Sequence, residues 1–382
     1  MIAFGLTPAE FQQRHLERQP LLAKRALREP FPWSELDSVL HHIEPTAPVF
    51  QLFNAGPVAE ERYTDLTLEL GAPRRRLNQR RFYAELRGGA TLVINGFENH
   101  SARGLRLCAE LGRFTGWRTV GNAYLSVGGR GTFGQHWDTH DVFAIQLVGR
   151  KRWLLYPPTF PLPLGMHRSD GSGHACPSAP VVDCVLEARD LLYVPRGWWH
   201  QAIPFDEPSL HLSVGTYGPT VHDYLMWACG AHLPAALAAR RALTSDVGRS
   251  EIEAALQAFR DLVLADATRA EFERGVASSE QLRSTFDTEL LLSSGAAGLT
   301  PGTLVSLTTR QPIDSGRDEI PVNGGRLRLH PLSRAIIAAL AGATLTIDEL
   351  CRHLSGESPD ALRAAVLDLA EHELVTVVRA KG

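Results

Sequence analysis

The chain of 382 residues has few cysteines and no long hydrophobic run. Its five cysteines are scattered and odd in number, and none form a CxxC pair, which argues against a disulfide framework and against a structural zinc site made of thiolates. No stretch approaches the run of about 18 apolar residues that a membrane span needs, and the N-terminal segment is polar too early for a secretion signal. We therefore expect a cytoplasmic protein with no membrane partner.

The chain also lacks a strong charge of either sign, since its formal net charge is −3. Binding to nucleic acid phosphates calls for a basic surface, and from Arg326 onward seven basic residues face seven acidic ones. We therefore expect no direct contact with nucleic acid. Lysine is scarce, because only Lys24, Lys151 and Lys381 occur among 39 basic residues. The presence of a lysine in such a chain therefore suggests a specific role for it, and this applies to Lys151.

The first 219 residues change pattern along their length. Residues 1 to about 90 mix short amphipathic helical runs with turns, and the run from Thr91 to Phe97 predicts a strand. From Thr119 onward, short β-branched and aromatic runs bounded by Gly, Pro and Asp indicate a β-sandwich or barrel. The runs DVFAIQLV and KRWLLYPP are separated by Gly149-Arg150, which predicts a hairpin.

After residue 219 the pattern becomes helical. Residues 221 to about 290 are rich in alanine and leucine at helical spacing, and 295 to 325 read as a linker with short strands. Three short helices and a strand follow between 331 and 379, the order of a winged-helix domain, and Ser358-Pro359 is a good helix start. The apolar faces of the helices after 221 predict a homodimer; alternatively, they pack only on their own barrel.

Candidate metal ligands lie in the tripeptide His136-Trp137-Asp138. On a strand, side chains at i and i+2 share a face, so His136 and Asp138 point the same way. His200 follows the strand DLLYVP, and an antiparallel barrel can bring it to the same place. Two histidines and one carboxylate are the ligands of non-haem iron(II) oxygenases. His211, inside the strand SLHLSVG, is the rival third ligand.

These motifs resemble those of the JmjC-type 2-oxoglutarate oxygenases, in particular the ribosomal oxygenases that hydroxylate ribosomal-protein side chains. The segments QHWDTHDVFAIQLVGRKRW, DLLYVPRGWWHQA and SLHLSVGTY carry the resemblance. It implies a mixed α/β (α+β) protein in three parts. These are a double-stranded β-helix (cupin or jelly-roll) JmjC barrel with an N-terminal extension in residues 1–219, a helical dimerisation region in 220–295, and a linker with a winged-helix domain in 296–382.

The resemblance also assigns roles to individual residues. His136, Asp138 and His200 match the ligands of iron(II), and Lys151 matches the cation that pairs with the distal carboxylate of 2-oxoglutarate. The cosubstrate pocket would further be lined by Asn122, Tyr124, Ser213 and His211. The residues beside the ligands, His140 and Asp141, are expected to be solvated or hydrogen-bonded rather than to bind metal.

The function implied is O2-dependent hydroxylation of a protein or peptide side chain, with release of succinate and CO2. A histidine or arginine of a ribosomal protein is the expected target, and SLHLSVGTY leans towards histidine. The loop 161–180 and the segment VLEARD depart from the family pattern, so a peptide natural product or another protein is the alternative substrate. N-methyl-lysine demethylation and a cupin-type metal enzyme without 2-oxoglutarate are further alternatives. A catalytically silent binding module would be expected to lose one of the three ligands.

Overall fold

The structure is a computed structural model that describes residues 2–128, 131, 133–171, 173–242, 248–288, 298–310, 313, 316–323 and 325–379. The chain divides into two compact units, the first ending at Tyr217 and the second beginning at Gly218. The finer division of the second unit at 295/296 stays a prediction. Within the described ranges, no helix is both long and apolar enough to cross a bilayer.

The N-terminal part of the first unit alternates short helices and strands. The helices are α1 (Pro8–Arg14), α2 (Trp33–His42), α3 (Gln79–Arg87) and α4 (Ala102–Thr115), and the strands are β1 (Leu21–Ala23), β2 (Phe50–Phe53), β3 (Thr64–Glu69), β4 (Ala72–Leu77) and β5 (Thr91–Ile94). Short 3₁₀ turns span Glu60–Arg62 and Phe97–Asn99. The predicted helix and strand around residue 100 are present, and the Ser101 side chain caps α4 by accepting from the Gly104 N–H.

Seven further strands complete a two-sheet barrel. They are β6 (Arg118–Val127), β7 (Asp141–Val148), β8 (Arg150–Tyr156), β9 (Val182–Glu187), β10 (Leu191–Val194), β11 (Trp199–Pro204) and β12 (Pro208–Tyr217). One sheet has the order β1-β10-β7-β12-β6-β5-β2 and the other β11-β8-β9, and neighbouring strands are antiparallel. The predicted cupin-like, mixed helix-and-sheet fold is confirmed.

The predicted hairpin at Gly149-Arg150 is wrong. β7 pairs with β10 and β12, whereas β8 pairs with β9 and β11, so the chain passes from one sheet to the other at this point. Gly149 has a φ of +66°, and a Cβ there would collide with the carbonyl oxygen of Pro208. Glycine is therefore required for a close approach of two backbones at a barrel corner, a use that resembles a tight turn in sequence.

The second unit contains two groups of elements. The helices α5 (Val221–Ala231), α6 (Leu237–Arg240), α7 (Arg249–Leu264) and α8 (Asp266–Ser278) come first, with a 3₁₀ turn at Leu233–Ala235. The elements that follow are β13 (Leu304–Leu307), β14 (Glu319–Val322), β15 (Gly325–Arg328), α9 (Pro331–Ala339), β16 (Thr344–Thr346), α10 (Ile347–His353), α11 (Pro359–Glu371) and β17 (Val375–Val378).

The last three helices pack on a three-stranded sheet of order β16-β13-β17, around the buried side chains of Ile336, Leu350 and Val366. Ser358 caps α11 as expected, accepting from the Ala361 N–H at 3.1 Å. The order of elements supports a winged helix, and that assignment, like the dimer, stays a prediction.

The predicted helix over residues 278 to about 290 is wrong where it can be judged. Residues 281–287 carry no helix, and 289 and 290 lie outside the described residues. Leu282 is instead buried in the core of the second unit, and its backbone N–H donates to Asn323 Oδ1 at 2.6 Å. A tertiary partner for the backbone replaces the helical hydrogen bond that the residue spacing predicts.

Candidate metal centre

Three side chains that could bind one metal ion lie close together, two of them on the segment before β7 and one near the start of β11. Their ligand atoms, one each from His136, Asp138 and His200, lie within 4.8 Å of one another. Nε2 of His200 is 3.5 Å from Oδ2 of Asp138. One ion can bridge such a separation, since bonds from metal to nitrogen or oxygen are about 2.0–2.2 Å long, as for zinc.

The backbone explains why the three side chains meet. His136 and His200 face each other as an antiparallel pair and exchange two hydrogen bonds of 2.8 and 3.2 Å, so their rings lie 4.3 Å apart. Trp137 points to the other side, where it is buried against Trp199 and Tyr156. The side-chain alternation expected from an extended segment therefore places His136 and Asp138 on one side.

The hydrogen bonds of the two imidazoles suit metal binding. Nδ1 of His136 is 2.9 Å from the carbonyl oxygen of Gly134, and Nδ1 of His200 is 3.1 Å from that of Trp198. A carbonyl oxygen can only accept, so in each ring Nδ1 carries the proton and Nε2 keeps the lone pair that a metal needs. The donor set thus fits a divalent first-row metal.

Protonation also favours cation binding. Burial lowers the pKa of His200 to about 4, with the neighbouring His136 adding to the effect, so its ring is neutral at neutral pH. Burial raises the pKa of Asp138, but the imidazoles of His200, His140 and His136 outweigh it and leave that pKa below its usual value. The neutral imidazole of His200 and the Asp138 carboxylate therefore face the ligand position.

The three candidate ligands line a cavity of about 280 Å³. We call the part of the cavity at His136 and Asp138, which are partly exposed, its outer end, and the part at Lys151 and His211, which are buried, its inner end. All eight residues singled out from the sequence line the cavity: His136, Asp138, His200, Lys151, Asn122, Ser213, Tyr124 and His211. Among the residues that the structure describes, the one cluster of three potential metal-binding side chains is the His-Asp-His set. His211, the rival ligand, lies in the same cavity but outside that cluster.

Lys151 lies in this cavity with its side chain almost fully buried, only 3% exposed. Its ammonium nitrogen is 3.0 Å from Nδ1 of His211. No carboxylate among the described residues pairs with it, and burial lowers the pKa of Lys151 to about 7. Burial and then Lys151 hold the pKa of His211 well below its usual range, so that ring is neutral and can accept from Lys151.

The remaining predicted pocket residues lie on neighbouring strands. Tyr124 on β6 pairs with His211 on β12, and their rings stack at 4.8 Å. Two residues away on the same strands, Asn122 pairs with Ser213, and the Oδ1 of Asn122 accepts from the Gly96 N–H. Burial, and then the Asp138 carboxylate, raise the pKa of Tyr124, so its hydroxyl stays protonated.

Sequence reasoning missed further residues of the cavity, among them Trp153, Ser126 and Phe133. Trp153 lies 6.1 Å from the His200 ring and 5.5 Å from the His211 ring, and Ser126 has a buried hydroxyl without a partner among the described residues. Phe133 also lines the cavity and is partly exposed to solvent. The same i, i+2 rule finds two of them, since Trp153 follows Lys151 on β8 and Ser126 follows Tyr124 on β6.

Comparison with known proteins gives the class of this site. Residues 93–224 match the family model described as JmjC domain, a span that contains all eight cavity residues above. The chain therefore carries a JmjC domain, as the sequence motifs indicate.

Individual relatives include proteins named as ribosomal oxygenases and histidyl-hydroxylases. The chain is 29% identical over 231 residues to "Bifunctional lysine-specific demethylase and histidyl-hydroxylase NO66" of Drosophila persimilis, covering 58% of this chain and 32% of that protein. It is 31% identical over 219 residues to "Ribosomal oxygenase 1" of Gallus gallus, covering 55% and 35%. The chain thus spans about a third of the length of these curated relatives.

A solved structure matches over nearly the whole chain. YcfD, a ribosomal oxygenase from Escherichia coli, superposes with a TM-score of 0.57 at 18% identity and covers 98% of this chain and 99% of YcfD. A further structure of YcfD, in complex with cobalt and 2-oxoglutarate, gives the same score. At this identity the likeness establishes the shared fold alone. The sequence matches confirm the predicted resemblance to JmjC-domain proteins and ribosomal oxygenases.

Proposed function

We propose that the chain is an Fe(II)- and 2-oxoglutarate-dependent oxygenase that hydroxylates a protein side chain, with a histidine or arginine of a ribosomal protein as substrate. One observation carries the proposal: a His-Asp-His cluster and a buried lysine, which has no carboxylate partner among the described residues, line the same cavity. The names of the relatives, histidyl-hydroxylase and ribosomal oxygenase, support the substrate class.

At the outer end of the cavity, His136, Asp138 and His200 would hold iron(II). Three protein ligands leave coordination positions open for a cosubstrate and O2. Iron(II) bound there supplies the oxidation of a substrate C–H bond, coupled to decarboxylation of 2-oxoglutarate to succinate. The Nδ1–H groups of both histidines stay on backbone carbonyl oxygens and fix the ring orientations.

At the inner end, Lys151 would pair with the distal carboxylate of 2-oxoglutarate. A buried carboxylate needs a paired charge, and a buried ammonium needs the same. His211 holds the ammonium in place from one side. Asn122, Ser213 and Tyr124 supply polar groups along the cavity wall, where the hydroxyl of Tyr124 can donate to an anion.

Lys151 also separates this proposal from a cupin-type metal enzyme that does not use 2-oxoglutarate. Such an enzyme has no need of a buried cation opposite its metal, and burying one without a partner is costly. The loop 161–180 keeps a peptide natural product open as the alternative substrate. Assembly as a homodimer, absence of direct nucleic-acid contact and residence in the cytoplasm stay predictions.

The proposal is tested by incubating the full chain with iron(II), 2-oxoglutarate and ribosomal proteins from its source organism. We expect succinate to form and one ribosomal protein to gain the mass of one oxygen atom, both lost in His200→Ala. Succinate without a modified ribosomal protein would contradict the substrate, and no succinate under any condition would contradict the oxygenase activity.

A further inference from the structure

Two chain segments carry the candidate ligands, and backbone hydrogen bonds connect the two segments. One segment holds His136 and Asp138 before β7, and the other is the turn between β10 and β11 that leads to His200. Besides the two main-chain bonds between His136 and His200, the N–H of Gly197 donates to the carbonyl oxygen of Asp138 at 2.9 Å. The relative position of these segments therefore decides whether three ligands can reach one ion.

Asp141 adds a side-chain link between the same two segments. It is the first residue of β7, its side chain is 2% exposed, and the cavity lining does not include it. One oxygen, Oδ1, accepts both from the Tyr193 hydroxyl at 2.7 Å and from the Arg196 backbone N–H at 3.1 Å. Tyr193 lies near the end of β10, and Arg196 lies at the start of the turn that leads to His200.

A second layer of contacts holds this link from outside. The Tyr193 hydroxyl accepts from the backbone N–H of Glu17, and the Glu17 carboxylate pairs with the Arg196 guanidinium at 2.6 Å. The guanidinium also donates to the carbonyl oxygen of Pro163 at 3.2 Å. Tyr193 and Arg196 are thus also held by contacts that do not involve Asp141. These contacts restrict movement of the turn away from Asp141.

We propose that Asp141 is a positioning residue: through its shared oxygen it sets the spacing between the His136–Asp138 segment and the turn before His200, and with it the affinity for the metal. This inference rests on the proposed metal site. Replacing groups that orient metal ligands typically costs about 10- to 100-fold in metal affinity.

The two bonds to a single oxygen make a sharp test available. In Asp141→Asn the amide oxygen can accept both bonds, whereas Asp141→Ala accepts neither. Burial raises the pKa of Asp141 to about 6, so its surroundings disfavour the carboxylate and are compatible with a neutral amide of the same shape. Tyr193→Phe removes one bond and keeps the ring, and Asp37→Ala on the exposed face of α2 is a matched control.

The experiment titrates Co(II) alone into the metal-stripped full chain and follows its visible absorption, with circular dichroism to check folding. We expect Asp141→Ala to bind about 10- to 100-fold more weakly than the wild type. Asp141→Asn should match the wild type, Tyr193→Phe should show a smaller loss, and Asp37→Ala no change. Recovery in the asparagine variant separates positioning from a general loss of stability.

The inference is overturned if folded Asp141→Ala binds Co(II) like the wild type, or if the alanine and asparagine variants are equally weakened. Should Asp141→Ala fail to fold, wild-type affinity in Tyr193→Phe overturns it. Failure of the wild type itself to bind Co(II) contradicts the proposed metal site, so the two failures are told apart by which protein shows them.

Discussion

The two ends of the cavity differ in the charge that their side chains present. At the outer end, His136, Asp138 and His200 present lone pairs and a negative charge with no cation among the described side chains to balance them. At the inner end, Lys151 presents an ammonium whose one hydrogen-bond partner within the described ranges is the neutral ring of His211. One end is prepared for a cation and the other for an anion.

His200 and His211, the two candidates for the third metal ligand, show this difference most clearly. His200 keeps Nδ1 on a carbonyl oxygen, which leaves Nε2 for a metal, whereas Nδ1 of His211 accepts from Lys151. The same side chain thus offers a free Nε2 lone pair in one place and accepts from a cation in the other. Neighbours, rather than residue type, decide the role.

The largest expected effect comes from removing a ligand at the outer end. His200→Ala should lower metal affinity by more than about 100-fold, beyond the loss typical of residues that only orient ligands. His211→Ala should leave metal affinity unchanged. Isothermal titration with Co(II) measures both, and equal losses in the two variants would contradict the assignment of His200 over His211.

Removing the cation should affect the inner end alone. Lys151→Ala should weaken 2-oxoglutarate binding by about 2–5 kcal/mol, the usual cost of truncating one partner of a buried charge pair. Metal affinity should stay as in the wild type. Lys24→Ala, which removes an exposed lysine paired with Asp190, is the matched control and should change neither affinity. Parallel loss of both ligands in Lys151→Ala would show that the two ends are not independent.

The pH dependence of cosubstrate binding should report on Lys151. Burial lowers the pKa of this lysine to about 7, and a bound carboxylate favours its charged form. Below pH 7 the ammonium is already present; above it, binding must take up a proton. Affinity for 2-oxoglutarate should therefore fall as pH rises above 7, by up to about tenfold per pH unit.

Calorimetry in buffers of different ionisation enthalpy counts the proton taken up on binding. Lys151→Ala should abolish the uptake and flatten the pH profile. A profile that keeps its slope in this variant would assign the proton to another group in the cavity.

The smallest effect is expected from the partner of the lysine. His211→Phe keeps the ring stacked on Tyr124 but removes the acceptor for Lys151, which should cost about 1 kcal/mol of 2-oxoglutarate affinity. His211→Asn restores an acceptor and should recover part of the loss. A change in metal affinity in either variant would contradict the separation of the two ends.

Much of this site follows from strand periodicity. The i, i+2 rule places His136 with Asp138, and it places Asn122 with Tyr124 on β6. The same rule also pairs Lys151 with Trp153, which was missed because a tryptophan on a strand is usually core. Convergence of segments far apart in the sequence, such as that of His200, needed the family resemblance, since spacing alone does not fix which strands meet.

The features that sequence reasoning missed depend on tertiary contacts. Gly149 reads as a turn, but the nearby backbone of Pro208 makes it a corner between two sheets. Asp141 reads as a polar residue beside the ligands, and only the folded barrel brings the Tyr193 hydroxyl to it. A residue's partners across the fold leave no periodic trace in its own segment.

The proposed function requires that one cavity binds a metal at its outer end and 2-oxoglutarate at its inner end. The most direct measurement is the visible charge-transfer absorption of the metal-stripped chain after anaerobic addition of iron(II) and 2-oxoglutarate. We predict a band that requires both additions, is lost in His200→Ala, and needs a higher 2-oxoglutarate concentration in Lys151→Ala. No band in the wild type, after adventitious zinc has been removed, would contradict the claim.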